Sequence, residues 1–291
     1  MNHMNHSYTI ITDSGSDLSK RFADELDVRV SSLNVLVDGE EPKDDLLVDR
    51  KEFYEKLRSG KMAKTAAINL DQFLAVFEPI LKEGQDILYL GFSSGLSSTY
   101  QAAVTAAEEL HETYPDRKIL TVDTLAASLG EGLLVYYAVK LREEGKTIEE
   151  VAKWVEDNRL NLAHWFTVDD LHFLKRGGRV SAATAMVGSM LQIKPVMHVD
   201  DEGHLVKVTT ARGRRASIKA LFDKIRETGI VPEKQVFFIS HGDCLEDAEY
   251  LASLIREMYG DVKVVIDYVG AVIGAHSGPG TVALFFMGTS R

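Results

Sequence analysis

DILYLGFSSGLSSTYQAAVTAAEELH, residues 86–111, decides how the rest of the chain is read. Asp86 to Leu90 is a short apolar run with the composition of a buried strand, and Ser97 to about His111 has the composition and length of a helix. Between them lies a loop with five hydroxyls, Ser93, Ser94, Ser97, Ser98 and Thr99. A strand that runs through a polar loop directly into a helix is one half of a βαβ unit, the building block of a parallel sheet with crossover helices.

The surroundings repeat this grammar. Tyr8 to Thr12 and Lys118 to Val122 read as further strands, and Val28 to Val37 contains another. Leu18, Phe22 and Leu26 fall at four-residue steps, the spacing of one helix face. Asp49 with Glu52, Asn69 with Gln72 and Thr147 with Glu150 have the spacing of capping boxes, which predicts helix starts near residues 50, 70 and 148. Beyond about residue 160 the pattern changes. Ala163 to Val168, Lys194 to Val199 and Leu205 to Thr210 read as strands, the last two joined by a hairpin turn at Asp200 to Gly203. Helices at about 214–228 and 245–259 and strands near 235–240 and 262–267 follow. The expectation is a two-domain α/β protein: a parallel-sheet N-terminal domain, 7–160, and a mixed or antiparallel α/β C-terminal domain, 161–291. The last strands are free to contribute to a site between the two.

Length agrees, since 291 residues make about two domains at roughly 150 residues each. Hydrophobic residues at 45% and charged residues at 26% describe a globular chain rather than a disordered one. A net charge of −11 argues against a surface built for nucleic acid or for anionic lipid. Cys244 is the single cysteine, which excludes an internal disulfide and a multi-cysteine zinc site and suits a reducing cytoplasm. The N-terminal residues lack the long apolar run of an export signal. From Tyr268 to Ser290 there is no charged residue, but His276 to Gly280 interrupts the run near its centre. Tyr268 to Ile273 and Val282 to Met287 are therefore expected as strand, turn, strand rather than a membrane span.

Three stretches carry candidate chemistry. The hydroxyl loop at 91–100 is placed where a strand end and a helix N-terminus attract a carboxylate or phosphate, although each serine alone could merely cap the helix or satisfy loop backbone. Gly91, Ser93 and Gly95 also spell G-x-S-x-G, the nucleophile-elbow pattern of serine hydrolases. His276 downstream has the chain order of a triad base, with Asp123 or Asp169 as orienter, so an esterase using Ser93 and His276 is the alternative reading. No HGGG-like oxyanion loop precedes it. ITDSGSDL, residues 11–18, offers Asp13, Ser14 and Ser16 either to a site or to a strand-to-helix turn. KRGGRVS, residues 175–181, and the trio Arg212, Arg214 and Arg215 supply positive charge that faces a ligand, an acidic partner or solvent. His3 and His6 form no metal-ligand cluster with other residues, and no metal site is expected.

Taken in order, ITDSGSDL, GFSSGLSSTYQAA, VDDLHFLKRGGRVS, LQIKPVM, ARGRRASIKAL and VGAVIGAHSGPGTVALFF resemble the blocks of the DegV family of bacterial fatty-acid-binding proteins, over nearly the whole chain. One block departs: Thr65, Ala66, Ala67 and Ile68 stand where the family usually shows T-S-Q-P. The resemblance implies a cytoplasmic lipid carrier, not an enzyme, that buries one long-chain fatty acid such as palmitate between its domains. By resemblance the carboxylate is held by Thr65 and by Ser94 and Ser97 of the hydroxyl loop, with His276 nearby. It further implies a separate fatty acid kinase as partner, contacted at Arg212, that phosphorylates the bound carboxylate. No other cofactor is expected, no nucleic acid, and no stable membrane insertion beyond transient contact. The chain lacks a G-x-x-x-x-G-K-[ST] phosphate loop, consistent with leaving nucleotide chemistry to that partner.

Overall fold

Four strands of the first half pair as a parallel sheet, and every connection from one of them to the next contains at least one helix. The computed structural model describes residues 7–186 and 192–291; His3, His6 and Leu191 of the LQIKPVM block lie outside them. The parallel sheet has the order β2 (Arg29–Ser31), β1 (Tyr8–Asp13), β6 (Asp86–Gly91), β7 (Ile119–Asp123). Ile10 stands opposite Leu88, and Leu88 opposite Leu120. The run 28–37, expected to contain one strand, holds two. It breaks at Ser32 and Leu33, and β3 (Asn34–Val37) pairs instead with β4 (Lys43–Asp44) and β5 (Ala63–Ala66) in a small antiparallel sheet. At Asn69–Gln72 and Thr147–Glu150 both reciprocal capping bonds form. At Asp49 the side chain caps the helix at Glu52 N–H.

The second sheet has the order β10 (Leu205–Arg212), β9 (Ile193–Val199), β8 (Leu162–Thr167), β13 (Val282–Met287), β11 (Phe237–His241), β12 (Val264–Tyr268). Neighbours are antiparallel except β11 and β12. The first sheet thus draws on residues 8–123 and this one on 162–287. Helix Leu129–Glu143 lies where the two sheets share a core. Leu133, Leu134 and Val135 on successive positions are all fully buried, as a helix covered on every side requires.

The chain's uncharged tail corrects one expectation. Val282 to Met287 is a strand, central in the six-stranded sheet, but 271–277 is a helix and the preceding strand ends at Tyr268. Small residues explain the difference. A Cβ on Gly274 would meet Tyr54 Oη at 2.4 Å, so glycine lets the helix settle on the first half of the chain. Asp45, also from the first half, accepts from the Ala271 and Val272 N–H groups at 2.9 and 3.3 Å and so caps that helix. A short apolar run does not by itself distinguish strand from buried helix.

Candidate functional site

A cavity of about 430 Å³ opens between the two sheets' elements. Its walls are largely apolar, with Phe92, Leu96, Phe166, Leu174, Val272 and Ile273 among them. Polar groups converge where Thr65, Ser97, Ser98, Arg179 and His276 line it. Thr65, Arg179 and His276 also line a neighbouring surface depression, so this group stands between the cavity and the outside.

Each of these side chains is placed by ordinary fold logic. Thr65 sits on β5, opposite Val35 of β3. His276 lies in the last turn of helix Ala271–Ser277, and its Nε2 is 2.8 Å from Thr65 Oγ1. The imidazole fits because residue 177 is glycine: a Cβ there would come within 2.1 Å of His276 Nδ1, an atom with no partner. Arg179, two residues on, donates to the carbonyls of Gly177 and of Leu96, the latter at 3.1 Å. It thereby ties the basic turn to the hydroxyl loop. Ser97 precedes helix Thr99–Thr113; its Oγ accepts from Thr99 N–H at 3.2 Å and lies 2.9 Å from Thr99 Oγ1.

Burial pushes His276 down to about 4, with the nearby Arg179 charge adding to the effect, so the imidazole is neutral at physiological pH. Burial also lowers Arg179 from its ordinary value, but a guanidinium stays protonated. The opening therefore offers one fixed positive charge, three hydroxyls and a neutral imidazole. Such a set suits a single anionic head group attached to an apolar body.

Of the residues singled out in the sequence, Thr65, Ser97 and His276 line the cavity together. Ser94 does not: its side chain is exposed, and its N–H donates to Asp123 Oδ1 at 3.3 Å. In the block that departs from T-S-Q-P, Thr65 and Ala67 line the cavity, Ile68 is buried and Ala66 is exposed. Arg212 stands exposed at the far end of β10. Its neighbours are engaged internally, Arg214 with Asp247 at 2.8 Å and Arg215 over the Tyr250 ring at 3.9 Å. Arg179 and Ser98 were not picked individually, though KRGGRVS and the hydroxyl loop contain them. ITDSGSD faces inward: Asp13 accepts from Gly15 N–H, Phe92 N–H and Tyr89 Oη, Ser14 Oγ accepts from Leu33 N–H, and Ser16 Oγ donates to the Asp13 carbonyl.

The elbow serine is bound elsewhere. Ser93 is fully buried and donates to the Gly203 carbonyl at 2.9 Å, while His276 Nε2 faces Thr65. Asp169 pairs with Lys194 at 2.8 Å, and Asp123 accepts from loop N–H groups. The parts of a triad are present in sequence and dispersed in space. Among the described residues there is no group of three or more His, Cys, Asp or Glu able to hold a metal ion, and no helix is long and apolar enough to cross a membrane.

A parallel sheet and a mixed sheet beside an apolar cavity whose mouth carries hydroxyls, an arginine and a histidine define an α/β protein with a ligand-sized cavity. Comparison with known proteins makes this specific. Residues 7–289 match the family model described as "Uncharacterised protein, DegV family", and the chain belongs to the DegV family. A DegV domain-containing protein of Clostridium perfringens is 47% identical over 286 residues, covering 98% of each chain. Among solved structures, the chain is similar to a DegV family protein from Thermus thermophilus described for its fatty acid binding. Identity is 32%, the TM-score is 0.85, and 96% of this chain and 98% of that one are covered. It is likewise similar to a DegV lipid-binding protein from Thermotoga maritima, at 30% identity and TM-score 0.85, covering 98% and 99%.

Proposed function

We propose that the protein binds one long-chain fatty acid, with the acyl chain in the 430 Å³ cavity and the carboxylate at its mouth. The observation that carries this reading is the convergence of Thr65, Ser97, Arg179 and a neutral His276 at the opening of an otherwise apolar cavity. The Thermus and Thermotoga relatives, described as binding fatty acid and lipid, support it. Burying a sixteen-carbon tail contributes on the order of 10 kcal/mol before entropic costs, at about 0.8 kcal/mol per CH₂. The tail supplies affinity and the mouth supplies register. In this reading the chain is a cytoplasmic carrier of two units, 7–160 and 161–291, rather than an enzyme. Thr65, Ser97 and His276 hold the head group together with Arg179, and Ser94 holds the loop through Asp123.

Presentation of the carboxylate to a separate fatty acid kinase completes the proposal. The chain has no nucleotide-phosphate loop of its own. Thr65, Arg179 and His276 border the outside, where a second protein can reach the head group. Arg212 supplies an exposed charge for that partner. Native mass spectrometry of the protein purified from its expression host tests the carrier reading. One fatty acid per chain is expected, and delipidated protein should bind palmitate or oleate saturably. Failure of both refutes it. A fluorophosphonate probe should leave Ser93 unlabelled; stoichiometric labelling lost in Ser93→Ala would establish the hydrolase instead.

A further inference from the structure

Arg291, in the segment that follows β13, is buried, and its guanidinium holds three stretches of backbone together. Nη1 donates to the carbonyls of Leu125 and Asp200 at 2.6 and 3.0 Å, and Nη2 to those of Arg159 and Thr124 at 2.7 and 3.4 Å. These belong to the loop after β7, the short turn at Arg159–Asn161 and the hairpin turn between β9 and β10. Burial brings its pKa down to about 10, which leaves the group charged at neutral pH. A planar fork with four terminal protons matches four carbonyls, as a single ammonium does not.

Two of the three stretches lead to Ser93. The Asp200 carbonyl also accepts from Gly203 N–H at 3.0 Å, and the Gly203 carbonyl takes the Ser93 hydroxyl at 2.9 Å. On the other side Leu125 precedes Ala126, whose carbonyl accepts from Ser93 N–H at 2.9 Å. Leu125 has φ of 51°, a left-handed conformation that costs a leucine energy and persists only where the surroundings enforce it. Arg291, on the carbonyls of Thr124 and Leu125, supplies that enforcement. Ser93 then sets the hydroxyl loop: its carbonyl accepts from Leu96 and Ser97 N–H at 3.0 and 3.1 Å, and its Oγ from Gly95 N–H at 3.2 Å. Leu96 and Ser97 line the cavity.

Resting on the fatty-acid reading above, we propose that Arg291 and Ser93 are positioning residues for the head group: Arg291 fixes the two turns, and Ser93, bonded to both, sets Ser97 at the mouth. Neither residue touches the ligand. The serine of the G-x-S-x-G pattern thereby gains a role in place of a nucleophile's, and a pre-set loop spares the ligand the cost of ordering it.

A double-mutant cycle on the delipidated full-length protein tests this with palmitate and with hexadecanol, which keeps the tail and lacks the charged head. Arg291→Ala and Ser93→Ala should each weaken palmitate about tenfold, the factor one net hydrogen bond supplies, and change hexadecanol by less than about twofold. The double variant should bind palmitate little worse than either single one, because both act through the same loop. Arg291→Lys should resemble Arg291→Ala, and takes its place in the cycle if the alanine variant fails to fold by circular dichroism. Equal losses for both ligands would mean a general loosening of the fold and overturn the proposal. So would unchanged palmitate affinity in either position's variant, full retention in Arg291→Lys, or losses that add to about a hundredfold in the double variant. Absence of saturable palmitate binding by the unaltered protein refutes the fatty-acid reading instead, and this inference with it.

Discussion

ITDSGSD at 11–17 and GFSSGLSS at 91–98 look alike as sequence: each closes a strand of the parallel sheet with serines, glycine and a turn into helical structure. The structure spends them differently. In the first loop Asp13, Ser14 and Ser16 are turned inward onto partners within the fold, and Asp13 alone gathers three donors. In the second, Ser93 is consumed by the Gly203 carbonyl, but Ser97 and Ser98 reach the cavity. What separates them is what lies opposite. Phe92 and Tyr89 cover the first loop and bring it their own donors, whereas the second lies beside a cavity and an arginine that binds its Leu96 carbonyl. Identical residue types are structural when the fold supplies partners and functional when it leaves them for a ligand.

Replacing Asp13 by Ala should break this contrast most severely. Three buried donors, two of them backbone, lose their acceptor, and the expected loss is about 3 kcal/mol or more of unfolding free energy in urea titration. Ser97→Ala should instead leave the urea midpoint nearly unchanged and weaken ligand binding. If Asp13→Ala unfolds at the same denaturant concentration as the parent, the first loop is not structural.

His276 gives the next largest effect, through pH. Its pKa falls from about 6.5 unfolded to about 4 folded, so the folded state disfavours the charged ring. The stability this contributes is complete above pH 6.5 and is lost as pH falls through 4. Between pH 6.5 and 4.5 the parent should therefore lose about 2 kcal/mol that His276→Gln does not. Asp13 has the opposite sign. Burial raises it to about 6, so its contribution is present below pH 4 and is lost as pH rises through 6. Parallel stability curves for the parent and His276→Gln between pH 6.5 and 4.5 would mean that the imidazole is solvated rather than buried at the mouth.

The contrast also marks how far the sequence could be read. Strands 8–13, 86–91, 119–123 and 282–287 were legible because periodicity and flanking turns agree there. Helix 271–277 was not, because its small residues and its Asp45 cap have meaning only once residues 45–54 lie against it. Thr65, Ser97 and His276, which line one cavity, were singled out with the help of family blocks, without which Thr65 is an ordinary strand residue. Arg179 was hidden for a different reason: among six basic residues in two clusters, only the fold distinguishes the one that reaches the Leu96 carbonyl.

Thr65→Ala should produce a more modest change. Removing its hydroxyl takes one partner from the carboxylate and one from His276 Nε2, and affinity for palmitate should fall about tenfold. Thr65→Ser should recover most of that loss, since the hydroxyl is what matters. If alanine and serine bind alike and as tightly as threonine, the head group is held elsewhere and the mouth is misassigned.

Arg212→Ala is expected to change lipid affinity least of all. Leu205, at one end of β10, lines the cavity, and Arg212 is the last residue of the same strand; opposite this bulged strand, β9 advances six positions, from Val199 to Ile193, about 20 Å at 3.3 Å each. A charge so distant, exposed on an edge strand, is screened from the carboxylate by salt and solvent. Palmitate should therefore bind within about twofold of the parent, as surface substitutions away from a site usually leave affinity. Among the described residues Arg212 has no ion pair within 4.0 Å, while Arg214 and Arg215 beside it are already engaged. Of the three it is the one left to meet an acidic surface. In a reconstituted reaction with a fatty acid kinase, acyl-phosphate formation should drop in Arg212→Ala, and the defect should shrink at high salt, where the parent also loses its electrostatic advantage. A loss of palmitate binding equal to that of Thr65→Ala would instead bring Arg212 into the head-group site and remove the distinction between holding the lipid and handing it over.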